Sequence, residues 1–355
     1  MNFYERDKLS AIQAKEEAQR IAFAPFVFQA TRVLRDSGIL KAVELSKQGL
    51  TLAEIADKIS LPEYGIRVLI EAGLGIGLFT LNAGRYQTTK TAYFILNDEL
   101  TRVNMDFTQD VCYQAMYFLE DSIRNEKPEG LKVLGPWSTF YEGLSKLPEN
   151  VRKTWLNFDH FYSDHAFPEV LPIVFKNKPK TLLDIGGNTG KWTLQSFAFD
   201  PDVMITILDL PGQIEMARMQ IIKAGYADRI NFFESDILKE ENPFPKGFDA
   251  IWMSQFLDCF SEAQIISILK RCRMALTPNG SIYVLETFWD RQRFQASAFS
   301  LQQTSLYFTT IANGNSQMYD SKIFMKCVDA AGLNIVQDMD EIGMGHTLQI
   351  CKPKT

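Results

Sequence analysis

The sequence predicts an α/β protein: a doubly wound, mostly parallel sheet of seven strands, preceded by a mainly helical domain of winged-helix order. Three observations predict it. From Thr181 onward, short apolar runs alternate with helical stretches. The first of those runs ends in a glycine-rich turn that opens a helix. Before residue 110 the order reads helix, turn, helix, hairpin.

Along residues 1–110, a long amphipathic helix is expected from about Asp7 to Asp36. Thr51–Ile59 opens with Thr51 and Glu54, a capping-box spacing, and its Leu52, Ile55, Ala56 and Ile59 share one face. Pro62 suits the first turn of a second helix running through Val68 and Leu69 to Gly73, with Gly75 and Gly77 at its exit. Phe79–Thr88 reads as a hairpin turning at Asn82-Ala83-Gly84. The order invites a DNA-binding reading, and a helix that tracks phosphates should be basic. Here the second helix carries Arg67 against Glu63 and Glu71, and residues 1–110 hold 13 Lys+Arg against 14 Asp+Glu. Packing or dimerisation is the expected role. Residues 111–178 form a helical connector rich in aromatics, among them Tyr141, Trp155, Phe158 and Tyr162.

Residues 179–355 hold the sheet. Candidate strands are Thr181–Ile185, Met204–Leu210, Ile230–Ser235, Phe248–Ser254, Ser281–Glu286, Asn334–Asp338 and Thr347–Lys352, the last two placed as a hairpin-like pair. Ser261 and Gln264 form a capping box that starts a helix, and Thr277-Pro278-Asn279-Gly280 stops it. The 355 residues suffice for two domains, and the net charge of −6 disfavours nucleic acid or an anionic membrane as partner. MNFYERDKLS carries no secretory pattern, and the apolar stretch Ile21–Phe28 is too short to span a bilayer. The five cysteines are scattered without a CxxC pair, which points to reduced thiols in the cytoplasm and to no metal site. The 26 phenylalanines suit an aromatic-rich core, or in part the walls of a pocket for a flat or apolar small molecule.

The chemistry gathers at strand ends. Asp184-Ile185-Gly186-Gly187-Asn188-Thr189-Gly190 runs from a strand into a helix, where backbone N–H groups meet a ligand and a Cβ would block its approach. It lacks the third glycine of G-x-G-x-x-G. Asp209 ends the second strand 19 residues past Gly190, where an acid accepts from both ribose hydroxyls of a nucleoside cofactor; it could equally cap the helix at Pro211. Ser235-Asp236-Ile237 ends the third strand. Asp236 can accept from the exocyclic amine of adenine while Ile237 packs on the ring, although alone it would pass for a solvated loop acid.

With these residues in view, the chain resembles the class I S-adenosylmethionine-dependent methyltransferases, and among them the plant-type and bacterial small-molecule O-methyltransferases. D-I-G-G-N-T-G, L-D-L-P at Leu208–Pro211, E-S-D-I at Glu234–Ile237 and R-M-A-L-T-P-N-G-S-I-Y-V-L-E at Arg273–Glu286 look like their successive motifs. The resemblance implies a Rossmann-like domain with S-adenosyl-L-methionine as cofactor and an N-terminal domain that pairs protomers into a homodimer. It implies that Asp184, Gly186, Gly187 and Gly190 line the methionine end, that Asp209 and Leu210 hold the ribose side, and that Ser235, Asp236 and Ile237 serve the adenine. Ser254 and Gln255 would lie close by, and Tyr162 with Ser163-Asp164-His165 would reach over the cofactor toward the substrate.

One departure stands out. The family usually reads L-H-D-W after the fourth strand, its His the general base; here Leu257-Asp258-Cys259-Phe260 puts Asp258 in that place. The Glu that orients the base matches Met318. Asp258 is the first candidate base, with His160 and His165 behind it. Against those roles, Asp258 could cap the following helix and the histidines could be core residues. The expected activity is methyl transfer to a hydroxyl of a small aromatic or apolar metabolite. Other cofactor-assisted chemistry on the same fold, such as decarboxylation or hydroxylation, loss of turnover, and a DNA-binding regulator are the alternatives.

Overall fold

The computed structural model describes residues 3–354. The chain forms two bodies, Tyr4–Thr108 and the remainder from Gln109. The first contains α1 (Ala11–Ala22), α2 (Ala24–Asp36), α3 (Ile39–Glu44), α4 (Leu52–Ala56), α5 (Glu63–Ile76), β1 (Phe79–Asn82), β2 (Arg85–Thr88), α6 (Lys90–Asn97) and α7 (Glu99–Phe107).

The helix expected over Asp7–Asp36 is two helices broken at Phe23. Pro25 explains the break. Inside one helix its missing N–H would orphan the Ile21 carbonyl and its ring would strike it, whereas at the second position of α2 it costs nothing. The Thr51–Glu54 capping box forms, although α4 ends at Ala56. Pro62 precedes α5 as its N-cap, and that helix continues past Gly73 to Ile76. β1 and β2 pair antiparallel, with Ala83 (φ 48°) and Gly84 (φ 76°) at the turn. Two successive positive φ values give the right-twisted connection that hairpins favour. Leu34, Ile39, Ile55, Ile66, Ile70 and Phe79 form this body's core.

The second body begins with α8 (Leu119–Asn125), α9 (Phe140–Gly143), α10 (Glu149–Asp164) and α11 (Phe167–Val174). The sheet and its helices follow: β3 (Thr181–Ile185), α12 (Lys191–Phe199), β4 (Met204–Asp209), α13 (Pro211–Lys223), β5 (Ile230–Glu234), β6 (Phe248–Ser254), α14 (Glu262–Ala275), β7 (Leu276–Glu286), α15 (Gln295–Tyr307), α16 (Ser321–Ala330), β8 (Leu333–Ile342) and β9 (His346–Pro353). The strand order is β5-β4-β3-β6-β7-β9-β8. Pairs from β5 to β7 are parallel, and β9 runs antiparallel to both β7 and β8.

Alternation along the buried strands makes the sheet two-faced. Leu183, Ile185, Ile251, Met253, Ile282 and Val284 pack with Ile265, Leu269 and Phe324 of α14 and α16. Leu182, Ile205, Ile207, Trp252, Tyr283 and Leu285 pack with Val170, Phe197, Ile214 and Ile221 of α11–α13. Each such side chain contributes roughly 1.5–3 kcal/mol by leaving water. Thr277-Pro278-Asn279-Gly280 behaves differently from the expected stop. β7 already starts at Leu276, and the pairing jumps from Phe248–Leu276 to Ala250–Ser281. The segment is an excursion within the strand, where Pro278 has no N–H to give the ladder.

The Ser261–Gln264 capping box is reciprocal: Gln264 N donates to Ser261 Oγ at 3.4 Å and Ser261 N to Gln264 Oε1 at 2.9 Å. Ser261→Ala is expected to lower stability by about 1 kcal/mol. A denaturant midpoint equal to that of the parent chain would contradict this role for the cap. Among the described residues, no helix is long and apolar enough to cross a membrane.

Candidate active site

Between β3 and β6 the strand order reverses direction, and the crevice outside the carboxyl ends of the strands at such a point is where these sheets bind ligands. A cavity of about 170 Å³ lies there. Its floor comes from the ends of β3 to β6 (Gly186, Asp209, Ser235 and Ser254), and its far walls are aromatic side chains from α9, α10 and α15. A smaller cavity adjoins it, lined by Asp184, Gly186, Gly187, Thr189, Lys191, Trp192 and Trp252.

The glycine turn shapes both cavities. Gly186 has φ 74°, and a Cβ there would fall 2.3 Å from the Phe256 ring; one at Gly187 would fall 2.8 Å from Ile207. Gly190 N donates to the Gly187 carbonyl at 2.7 Å and closes the turn. Gly190 itself lines neither cavity: it is the N-cap of α12, packed against Ile221 of α13. Asn188, at φ 49°, turns its N–H to Asp209 Oδ2 at 2.9 Å, and Leu210 N donates to Oδ1 at 2.7 Å. Asp209 is therefore not the cap of α13, whose N-cap is Leu210. Burial raises the Asp209 carboxyl to about 6 against the pull of those two N–H groups. Asp184 is buried, accepts from Thr193 Oγ1 at 2.7 Å, and is raised by desolvation to about 7. Leu210, Ser235, Asp236 and Ile237 line the larger cavity, with Asp236 half-buried and accepting from Leu238 N at 3.0 Å. Ser254 and Gln255 line both cavities.

The aromatic end holds Asp258. It sits in a 3-10 turn, Leu257–Cys259, and does not cap α14, which starts at Ser261. The turn is fastened by Glu286, whose Oε1 accepts from Phe256 N at 3.1 Å and Leu257 N at 2.8 Å. Asp258 is only 5% exposed, and the Cys259 thiol donates to it at 3.4 Å. Desolvation pushes its carboxyl up to about 7. Asp159 on α10 accepts from Asn188 Nδ2 at 3.0 Å and is likewise raised to about 7, by burial first and by Asp258 second. Tyr141 is bonded to Cys259, and Trp155 Nε1 donates to Tyr307 Oη at 2.9 Å.

Besides Asp184, Gly187 and Gly190, three further sequence candidates fall outside the larger cavity. His160 lines the smaller one, with Nε2 3.1 Å from Thr189 Oγ1, and burial lowers it to about 4. His165 is exposed at the C-terminus of α10, its Nδ1 2.6 Å from the Phe161 carbonyl. Tyr162 meets Phe158 and Phe161 edge to face and lines neither cavity. Along α10 the cavities are lined by Trp155, Phe158, Asp159, His160 and Ser163. Asp159, Tyr141, Tyr307, Asn313 and His346 carried no motif. The buried His346 supports the site from behind: its Nε2 lies 2.9 Å from Oε1 of Gln255, which stands at φ 48°.

These residues fit S-adenosylmethionine. The Asp209 carboxylate keeps lone pairs for hydroxyl donors beyond its two backbone bonds. Ser254 Oγ and Asn188 Oδ1 are buried at the cavity edge without a hydrogen-bond partner, so a ligand can satisfy them. Fold and site together define a class I methyltransferase.

Two family models match the chain, a Dimerisation2-like domain over residues 15–86 and an O-methyltransferase domain over residues 166–334. L-tyrosine C(3)-methyltransferase of Streptomyces lavendulae is 23% identical over 318 residues, covering 88% of this chain and 85% of that protein. The 3-hydroxy-5-methyl-1-naphthoate 3-O-methyltransferase of Streptomyces sahachiroi is 25% identical over 240 residues, 67% of each. Among solved structures, the S-adenosylmethionine-dependent methyltransferase SibL has a TM-score of 0.70 at 23% identity, covering 96% of this chain and 99% of that one. The chain belongs to the S-adenosylmethionine-dependent small-molecule O-methyltransferases that combine these two domains.

Proposed function

We propose that the chain methylates a hydroxyl of a small aromatic metabolite, with S-adenosylmethionine as donor. One observation carries the proposal: a single cavity has nucleoside-binding residues at one end and a buried carboxylate among aromatic rings at the other. Relatives that act on tyrosine and on a hydroxynaphthoate support an aromatic acceptor.

Asp209 would hold the ribose, Asp236 and Ile237 the adenine, and the glycine turn with Asp184 the methionine end. The bound cofactor supplies an electrophilic methyl group on a sulfonium. The aromatic walls hold the acceptor ring and exclude water. Asp258, when ionised, takes the hydroxyl proton. An ordinary aspartate near 3.9 is a poor base for a phenol near ~10, and desolvation brings the two closer. Incubation with methyl-labelled S-adenosylmethionine and a metabolite extract tests this. Label in an organic-soluble product is expected, and cofactor binding with no transfer would contradict it.

In the same proposal, residues 1–110 pair two protomers, 111–178 wall the pocket, and 179–355 hold the cofactor. On α1 and α2 no residue before Thr31 is buried, and Ile12 (73%), Ile21 (69%) and Phe26 (72%) are exposed. Apolar side chains at that exposure suit a dimer interface better than water. Light scattering at micromolar concentration should give a dimer, and a chain lacking residues 1–110 a monomer. A dimeric truncation would rule this interface out. Five unpaired cysteines favour a cytoplasmic setting, and the near-neutral first body argues against a nucleic-acid partner.

A further inference from the structure

We propose that the acceptor end of the cavity selects by charge, admitting a neutral or cationic aromatic hydroxyl compound and rejecting one that bears a carboxylate. The inference rests on the methyl-transfer reading and names its substrate class. Among the described residues lining the cavity, Glu142, Asp159, Asp209, Asp236 and Asp258 are acidic, and none is Lys, Arg or His. A bound carboxylate is ordinarily matched by a cation or by several convergent donors. Here several of the neutral donors at this end are already engaged. Trp155 Nε1 donates to Tyr307, Thr304 Oγ1 to the Ser300 carbonyl, the Asn313 amide to the Cys259 carbonyl, and the Cys259 thiol to Asp258.

The walls act in the same sense. Aromatic faces carry negative potential, so the rings of Tyr141, Trp155, Phe158, Tyr307 and Phe308 attract a cation and repel an anion. Asp258 already feels Asp159 and Glu286, each of which it pushes toward the protonated form. A further carboxylate would join that repulsion in a site where water cannot screen it. An ammonium would relieve it. Three independent features thus agree: no cation, several donors already engaged and an aromatic enclosure.

Tyramine, tyrosol and 4-hydroxyphenylacetate share a phenol ring and differ in the charge of a short tail. Calorimetric titration of the S-adenosylhomocysteine-loaded full-length protein at pH 7.5 should show tyramine and tyrosol binding at least tenfold tighter than the acid. Asp258→Asn should raise the affinity for the acid several-fold relative to that for tyrosol. Equal binding of acid and tyrosol, an unchanged ratio in Asp258→Asn, or no binding of all three would overturn charge selection. Titration with S-adenosylhomocysteine comes first. If that fails, the methyltransferase reading itself falls, and charge selection with it.

Discussion

Asp258→Asn is expected to cut turnover by about 10²-fold or more, the usual scale of losing a general base, while cofactor affinity stays as it was. The substitution keeps the shape of the side chain and removes its capacity to take a proton. Asp258 lies in the turn after β6 that Glu286 fastens to the end of β7, on the aromatic side of the cavity, whereas most of the cofactor residues lie at the ends of β3 to β5. The two readouts should therefore separate. A pH profile adds a second check. Burial raises the Asp258 carboxyl to about 7. Its basic form is scarce below that value and dominant above it, so turnover should climb as pH rises through about 7 and then level. A profile already flat from pH 5 would remove Asp258 as base. If Asp258→Asn keeps full turnover and His160→Gln loses it, the proton goes to the histidine. If neither variant nor His165→Gln loses turnover, positioning alone carries the reaction.

Asp209→Ala is expected to weaken S-adenosylmethionine by ~1.5–3 kcal/mol, the scale of hydrogen bonds to a charged group. That corresponds to roughly 10- to 150-fold in affinity. Two effects contribute. The ribose loses its acceptor, and the Asn188 and Leu210 N–H groups that Asp209 now holds lose theirs, which loosens the glycine turn. Calorimetric titration checks it, and an unchanged dissociation constant would take Asp209 out of the site.

What the sequence made legible follows from local physics. Thr181–Ile185 and Phe248–Ser254 were readable to the residue because strands buried on both faces must be continuous apolar runs, bounded here by polar or glycine residues. Asp209 and Asp236 were readable because a parallel sheet places every such strand end on one edge. The insertion of β9 between β7 and β8 was not, since a hairpin-like pair can join a sheet through either of its strands. Asp159, Tyr141 and Tyr307 were invisible for another reason. Each is an ordinary helical residue in its own segment, and only packing across more than 100 positions brings them to one cavity. The same limit misplaced His165 and Tyr162, which neighbour the cavity-lining residues of α10 without lining either cavity. Pro25 was in plain view, and its consequence for α1 and α2 follows from its missing N–H.

A crystal structure with S-adenosylhomocysteine and a methyl acceptor bound together tests the central claim most directly. The account expects the ribose hydroxyls on Asp209, the adenine against Ile237, and the acceptor oxygen within hydrogen-bond reach of Asp258 while facing the sulfur. An acceptor seated with its hydroxyl away from both the sulfur and Asp258, or a cofactor bound outside this cavity, would contradict it.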